Sequence, residues 1–301
     1  MLKELQEHVR TIADTAGPSV VSIGRNGRGT GFVVATDRVL TSSHNLRDKT
    51  VSVTFADGRT EQARVHGLDG DGDLAVVEVP TGETVALAFA EAETDTGVGT
   101  PVVALSRGGH RPRATIGFVS AVDQAFRGPR GRAVRGGLEH TAPLARGSSG
   151  GPVFDGDGRV VGINTHRAGD GFYLARVADT ALQARLAELI AGRSIRRRML
   201  GVAVAPSEVA ENLRRAVGLD DRTGLLVRAV EEAGPAGAAG VLVGDLLVSV
   251  AGHDLASADD LAAALDDLEG DSVEVTVVRG ADERTVTVSF AAPAPDESSD
   301  S

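Results

Sequence analysis

Between Val20 and Val161 the chain is a succession of short β-branched runs, and this feature limits its fold more than any other. The runs are VVSI (20–23), GFVVA (31–35), RVLTS (38–42), VSVTF (51–55), LAVVEV (74–79), PVVAL (101–105), TIGFVSA (115–121), GPVF (151–154) and RVVGINT (159–165). Turn signals such as ADGR (56–59) and DGDGR (155–159) separate them. Many short strands at close spacing predict a β-sandwich or barrel. Aromatic residues are few, at 3%, so the core must be built from Val, Leu, Ile and Ala. The next helical pattern is ADTALQARLAELIA (178–191), with Gly192 placed to end it.

The pattern then breaks at RSIRRR (193–198), a short basic stretch that reads as a linker. Beyond it strands and helices alternate. LGVAVA (200–205), GLLVRAV (224–230) and DLLVSVAG (245–252) read as strands, and SEVAENLRRAVGL (207–219) contains a helix. Ser257 with Asp260 three residues on is a capping-box pattern that opens a helix to Leu268, and Gly270 closes it. VEVTVVRG (273–280) and RTVTVSF (284–290) form a last hairpin. The expected division is therefore residues 1–192, a linker at 193–198, residues 199–291, and a disordered acidic tail at 292–301. A length of 301 residues suits two domains.

Several function classes are excluded at this stage. A net charge of −11 argues against a nucleic-acid partner, because such binders carry a basic surface field. The absence of cysteine removes disulfides, thiol nucleophiles and thiolate metal sites. No run of 18 apolar residues is present, so no membrane span is expected. Residues 1–23 space Leu2, Leu5, Val9 and Ile12 helically between charges, unlike the continuous apolar stretch of a signal peptide. On sequence alone this predicts a cytoplasmic protein, with a membrane-anchored or exported one as the alternative if a preceding segment has been removed.

Three motifs carry chemistry. GSSGGP (147–152) presents Ser149 among glycines, whose freedom lets successive N–H groups converge on one point where an oxyanion can be held. The same residues fit the G-x-S-x-G elbow of α/β-hydrolases, but that elbow leads into a helix and precedes its Asp and His. Here Pro152 leads into a strand, and both partners lie upstream. TSSHNL (41–46) puts His44 at a strand end, and GDLAVVEV (72–79) puts Asp73 at a strand start. The DGD run fails as an EF-hand, having Leu74 and Pro80 where Gly and Glu are required. No metal and no cofactor is expected.

With the order His44, Asp73, Ser149 in place, the chain resembles the trypsin-like serine peptidases, and more closely the HtrA (high-temperature-requirement) family. LTSSHNL, GDLAVVEV, GSSGGPVF, TIGFVSA and GRVVGINT match that family's peptidase segments. MLGVAV (199–204) and GPAGAAGVLVGDLLVSVAG (234–252) resemble a PDZ domain. The resemblance implies an all-β, trypsin-like double β-barrel followed by a smaller α+β PDZ domain. It implies Ser149 as nucleophile, His44 as base and Asp73 as its orienting partner. Gly147 and Ser149 would supply the oxyanion-hole N–H groups, with Thr165 supporting the aspartate.

The implied primary pocket has its floor near Pro143 and its wall at Leu144 and Ala145. No acid stands there, which argues against cleavage after Arg or Lys and for small or medium apolar residues. His166 and Arg167 would line the same pocket, either narrowing it or admitting an acidic side chain. In the PDZ half, Leu200, Gly201 and Val202 match a carboxylate-binding loop. Val202 and Val204 would lie on a peptide-pairing strand, with Leu261 and Leu265 as pocket walls.

The expected function is a serine endopeptidase acting on unfolded or damaged proteins, with PDZ capture of peptide C-termini. The alternative is a chaperone or scaffold with a latent or inactive peptidase domain. Ser148 replaces the family's usual Asn, and HTAPLAR (140–146) replaces its T-D-A-x-x-N-P stretch. The first aromatic is Phe32, so the N-terminal contacts through which members trimerise are not evident, and a homo-oligomer stays open.

Overall fold

A computed structural model describes residues 2–91, 96–108, 112–127, 133–195, 198–266, 268 and 270–290. The acidic tail and part of the basic linker expected from sequence lie outside these residues. The chain forms two compact units, Met1–Arg196 and Arg197–Ser301.

The first unit opens with helix α1 (Leu2–Ala16), whose helical apolar spacing leaves Leu2 and Leu5 exposed while Ile12 and Ala16 are buried. Two closed six-stranded barrels follow, as the double-barrel expectation requires. The first holds β1 (Val20–Ile23), β2 (Gly29–Ala35), β3 (Arg38–Thr41), β4 (Thr50–Thr54), β5 (Thr60–Asp69) and β6 (Leu74–Glu78), in the order β1-β2-β3-β6-β5-β4. The second holds β7 (Pro101–Arg107), β8 (Pro112–Arg127), β9 (Ala133–His140), β10 (Pro152–Phe154), β11 (Val160–Gly169) and β12 (Phe172–Val177), in the order β10-β11-β12-β9-β8-β7. Every pairing is antiparallel, so the β-branched runs alternate between interior and outer faces.

Val21, Val33, Val39, Val53 and Val77 fill the first barrel with Phe55. Val102, Val119, Leu138, Val153 and Val161 fill the second. A third cluster joins the barrels through Phe32, Leu40, Leu74, Leu105, Phe154 and Ile163. Helix α2 (Thr180–Ile190) covers it with Leu182, Leu186 and Leu189. Asp179 caps this helix by accepting from Leu182 N–H at 2.7 Å, a cap that contributes about 1 kcal/mol. Fully burying each such side chain contributes roughly 1.5–3 kcal/mol, so this seam is the main reason the barrels stay docked.

The second unit is one antiparallel sheet. It runs β13 (Val202–Ala205), β14 (Leu225–Val230), β15 (Leu246–Val250), β17 (Ser272–Arg279), β18 (Asp282–Ser289), and a two-residue β16 (His253–Asp254) pairs with β15. Helices α3 (Ser207–Ala216), α4 (Pro235–Ala238) and α5 (Ala258–Asp266) complete it. The capping box is present: Asp260 N–H donates to Ser257 Oγ at 3.2 Å and Ser257 N–H to Asp260 Oδ2 at 2.8 Å.

Candidate active site

The site lies between the two barrels of the first unit. After β3 the chain turns through a short 3₁₀ segment, Ser43–Asn45, and this turn carries His44 off the end of the strand. Asp73 stands one residue before β6, with φ of +57°. Left-handed backbone at a non-glycine residue costs about 1–2 kcal/mol and persists only where the surroundings enforce it. Here Gly72 N–H donates to Asp69 Oδ1 at 2.8 Å, Arg185 reaches Asp69 Oδ2 at 3.0 Å, and Arg176 donates to the Gly72 carbonyl at 2.7 Å. A Cβ at Gly72 would come within 2.1 Å of Asp69 Oδ2, so the position requires glycine.

His44 Nδ1 lies 2.8 Å from Asp73 Oδ2 and 2.9 Å from Oδ1. The carboxylate also accepts from His44 N–H (3.1 Å), Ser43 Oγ (3.0 Å) and Thr165 Oγ1 (2.9 Å). Burial alone would raise the Asp73 pKa. The hydrogen bond and charge of the His44 ring, the His44 N–H and the Thr165 hydroxyl outweigh it and hold the carboxyl below its ordinary value. An ionised carboxylate only accepts, so Nδ1 carries a ring hydrogen, an arrangement that in the neutral imidazole leaves the lone pair on Nε2.

Ser149 is brought to the same cleft by a loop attached to both barrels. Its carbonyl accepts from Thr30 N–H and Asn45 Nδ2, both at 2.9 Å, and Thr30 Oγ1 donates to the Gly147 carbonyl at 2.7 Å. Gly150 N–H donates to the Asn164 carbonyl at 2.7 Å. The glycines are sterically required. At Gly150, φ is +85° and a Cβ would meet the Thr30 carbonyl oxygen at 2.3 Å; at Gly147, φ is +84° and a Cβ would meet the Gly27 oxygen at 2.2 Å. Neither Gly147 N–H nor Ser149 N–H is used in a hydrogen bond among the described residues, so both stay available to an incoming oxygen.

One expected link is absent. The Ser149 hydroxyl donates to the Thr165 carbonyl at 2.8 Å and makes no hydrogen bond with His44. A bond to His44 Nε2 requires this hydroxyl to leave the Thr165 carbonyl.

The cleft beside Ser149 encloses about 590 Å³. Leu144, Ala145, Thr165, His166 and Arg167 line it, whereas Pro143 does not and is exposed. His140 explains this. It is fully buried, with Nδ1 accepting from Ala142 N–H at 3.2 Å and Nε2–H donating to Asn164 Oδ1 at 2.9 Å. That anchor buries Ala142 and directs Pro143 outward. Desolvation by burial holds the His140 imidazole below its usual pKa, so it stays neutral. Arg28, Arg146, Asn164 and Tyr173 also line the cleft; Arg146 and Asn164 stand in segments read from the sequence without a pocket role, and Arg28 and Tyr173 stand in none. Asn45 and Thr30 were missed as well, although Asn45 directly follows His44.

In the second unit, Leu200 is buried and its carbonyl accepts from Ala236 N–H, while Gly201 has φ of +76° and its carbonyl accepts from Glu231 N–H. A Cβ at Gly201 would lie 3.3 Å from Glu231 Oε2, so a carboxylate stands beside the loop expected to receive one. β13 pairs with β14 alone and is an edge strand, with Val202 and Val204 half-buried. Leu261 and Leu265 belong to the core cluster of this unit, so they serve packing before any pocket.

A family model described as a trypsin-like peptidase domain matches residues 29–163, and one described as a PDZ domain matches 226–279. A probable periplasmic serine endoprotease, DegP-like, of Brucella suis is 31% identical over 281 residues, covering 88% of this chain and 52% of that protein. The Protease Do-like 1, chloroplastic, of Arabidopsis thaliana is 30% identical over 295 residues, covering 90% of this chain and 65% of that protein. The chain thus spans about half the length of the bacterial relatives it matches.

Among solved structures, the HtrA-type protease AlgW with decapeptide superposes with a TM-score of 0.70 at 20% identity, over 95% of this chain and 99% of that one. The serine endoprotease from Yersinia pestis gives 0.67 at 22%, over 93% and 96%. These two likenesses establish the fold.

The comparisons overturn the cytoplasmic expectation. Relatives from Brucella, Halomonas and Pseudomonas are named periplasmic, so the lack of an apolar leader in residues 1–23 was no guide to compartment. None of the described helices is long and apolar enough to cross a membrane.

Proposed function

From the chain's membership of the HtrA/DegP-like family, a trypsin-like peptidase domain followed by a PDZ domain, we propose that it is a serine endopeptidase of unfolded or damaged proteins. The observation that carries this reading is the His44–Asp73 pair at 2.8 Å, with Ser149 held by both barrels at the same cleft.

In this mechanism the Ser149 hydroxyl rotates away from the Thr165 carbonyl to His44 Nε2, which takes its proton as Oγ attacks the peptide carbonyl. Asp73 holds the ring tautomer and stabilises the imidazolium that forms. The N–H groups of Gly147 and Ser149 receive the negative oxygen, each worth about 10²–10³ in rate. His44 then returns the proton to the leaving amine, and water repeats the sequence on the acyl-enzyme. In the C-terminal unit, the N–H groups at Leu200–Val202 receive a peptide carboxylate and the open edge of β13 pairs with the peptide.

The bond from Ser149 to Thr165 favours a second reading, a chaperone or scaffold whose peptidase is latent. Incubation with casein and a fluorophosphonate probe separates the two. A peptidase labels at Ser149 and degrades casein, and Ser149→Ala loses both while keeping its thermal transition. Unlabelled wild-type protein that suppresses aggregation would establish the latent form.

A further inference from the structure

The charge of the cleft beside Ser149 is opposite to that of the chain. The protein carries a net −11, yet three arginines line this one cleft and no Asp or Glu does. Arg28 comes from the turn between β1 and β2, Arg146 from the segment leading to Ser149, and Arg167 from β11. Among the described residues no carboxylate pairs with Arg28 or Arg146. Arg167 places its guanidinium over the Tyr173 ring, 5.7 Å from the ring centre. Asp73, the buried carboxylate nearby, already has its oxygens occupied by Ser43, His44 and Thr165.

Resting on the serine-endopeptidase reading, we propose that this cleft selects an acidic side chain, Asp or Glu, on the residue whose carbonyl Ser149 attacks. A planar guanidinium binds a carboxylate through two parallel hydrogen bonds, and three of them in one cleft with no internal acid leave that charge to be met by substrate. The cleft also contains two buried polar groups without a partner, Ser148 Oγ and Asn164 Nδ2, both able to donate. His166 is not the source of the charge. Its Nδ1–H donates to Thr165 Oγ1 at 2.6 Å, and burial holds its pKa below the usual value. The selection therefore belongs to arginine and persists where histidine is neutral. Leu144, Ala145 and Tyr173 supply the apolar surface on which a small aliphatic side chain would compete.

The test uses the full chain and quenched peptides identical except at that residue, which is Glu, Asp, Val, Ala or Lys. The Glu or Asp peptide should exceed the Val peptide in kcat/KM by at least about tenfold and exceed the Lys peptide by more. The gap should hold from about pH 7 to 9 and narrow at high salt. Reversing two charges, Arg146→Glu with Arg167→Glu, should move the Glu-to-Lys ratio at least about tenfold toward Lys, with fluorophosphonate labelling of Ser149 as the control for an intact site. Cleavage of the Val peptide as fast as the Glu peptide overturns acid selection and leaves the peptidase reading standing. A Glu preference that survives the double reversal, in protein that still labels, overturns its assignment to these arginines. Failure to label and to cleave any peptide overturns both readings together.

Discussion

The two units bury polar groups very differently. Of the eighteen polar or charged residues buried among the described residues, sixteen lie in the barrel unit, and only Ser207 and Asp245 lie in the C-terminal unit. The excess is gathered around the cleft: Thr30, Thr41, Asn45, Asp73, His140, Asn164 and Thr165 all belong to the network that holds the loop of Ser149 or the ring of His44. Each unit buries an aspartate that is 1% exposed, and the pair makes the contrast concrete. Asp73 is met by two hydroxyls and an imidazole, which can rotate or shift a proton, and by one backbone N–H. Asp245 is met by Arg279, with Nε at 2.7 Å and Nη2 at 2.8 Å, and by Leu242 N–H at 2.9 Å. Burial raises the Asp245 pKa, and Arg279 and that N–H more than reverse it. A guanidinium does not release its proton, so this pair is a clamp. A buried charge alone thus says nothing about reactivity; the titration behaviour of its donors does.

The contrast breaks first at Asp73. Asp73→Asn should lower kcat by about 10⁴-fold while the thermal transition stays, because the ring loses its tautomer and its stabilising charge. Wild-type turnover by this variant would reduce Asp73 to a structural role like that of Asp245. Gly150→Ala tests the same unit through the backbone. The added Cβ meets Thr30 across the barrel seam, so a loss of about 3 kcal/mol and of fluorophosphonate labelling is expected, readable by urea titration. Unchanged stability would show the loop to be loose.

On the other side of the comparison, Asp245→Ala should cost about 2 kcal/mol in the C-terminal unit and leave casein cleavage by the barrels in place. Arg279 is one-third exposed and can turn to water, which limits the loss.

Acid should separate the units as well. His140 and His166 have pKa values lowered by burial, so the unfolded chain takes these protons near pH 6.5 and the folded barrels only at lower pH. Barrel stability therefore declines as pH falls below about 6.5. The depressed carboxyl of Asp245 contributes stability that is present above its unfolded pKa near 3.9 and lost as pH falls further. Calorimetry between pH 7 and 5 should show the barrel transition moving down first; parallel movement would contradict the assignment. The smallest effect expected is at Glu231, where Glu231→Gln should tighten a peptide with a free C-terminus about two- to threefold by titration calorimetry.

The legible part of the site was the part whose signal is local. His44, Asp73 and Ser149 each sit in a motif of neighbours, because a turn, a strand start and a glycine run are properties of adjacent residues. The β-branched runs marked the strands for the same reason but left sandwich and barrel open, and the double barrel came from the family resemblance. Arg28 and Tyr173 reach the cleft through long-range packing, and nothing in their own segments announces it, while Asn45 and Asn164 stand inside matching segments whose pattern does not show what their side chains hold. Pro143 was misplaced because the anchor that turns it outward joins His140 to Asn164 on another strand. Leu261 and Leu265 show a further limit, since helical spacing marks an apolar face without saying whether it meets the core or a groove. The bond from Ser149 to Thr165 is a choice of hydrogen-bond acceptor, which a sequence does not encode in any readable pattern.

The attachment of Ser149 to Thr30 and Asn45 also bears on how the protein is made. These contacts join segments more than a hundred residues apart and cross from one barrel to the other, so they exist only where the two barrels are docked. Until then the serine has no fixed carbonyl and no converging amides, and the histidine waits on another body. A chain emerging during synthesis therefore carries every chemical group of the cleft and none of its reactivity. On the serine-endopeptidase reading, the docking of the two barrels is therefore the step that completes the cleft.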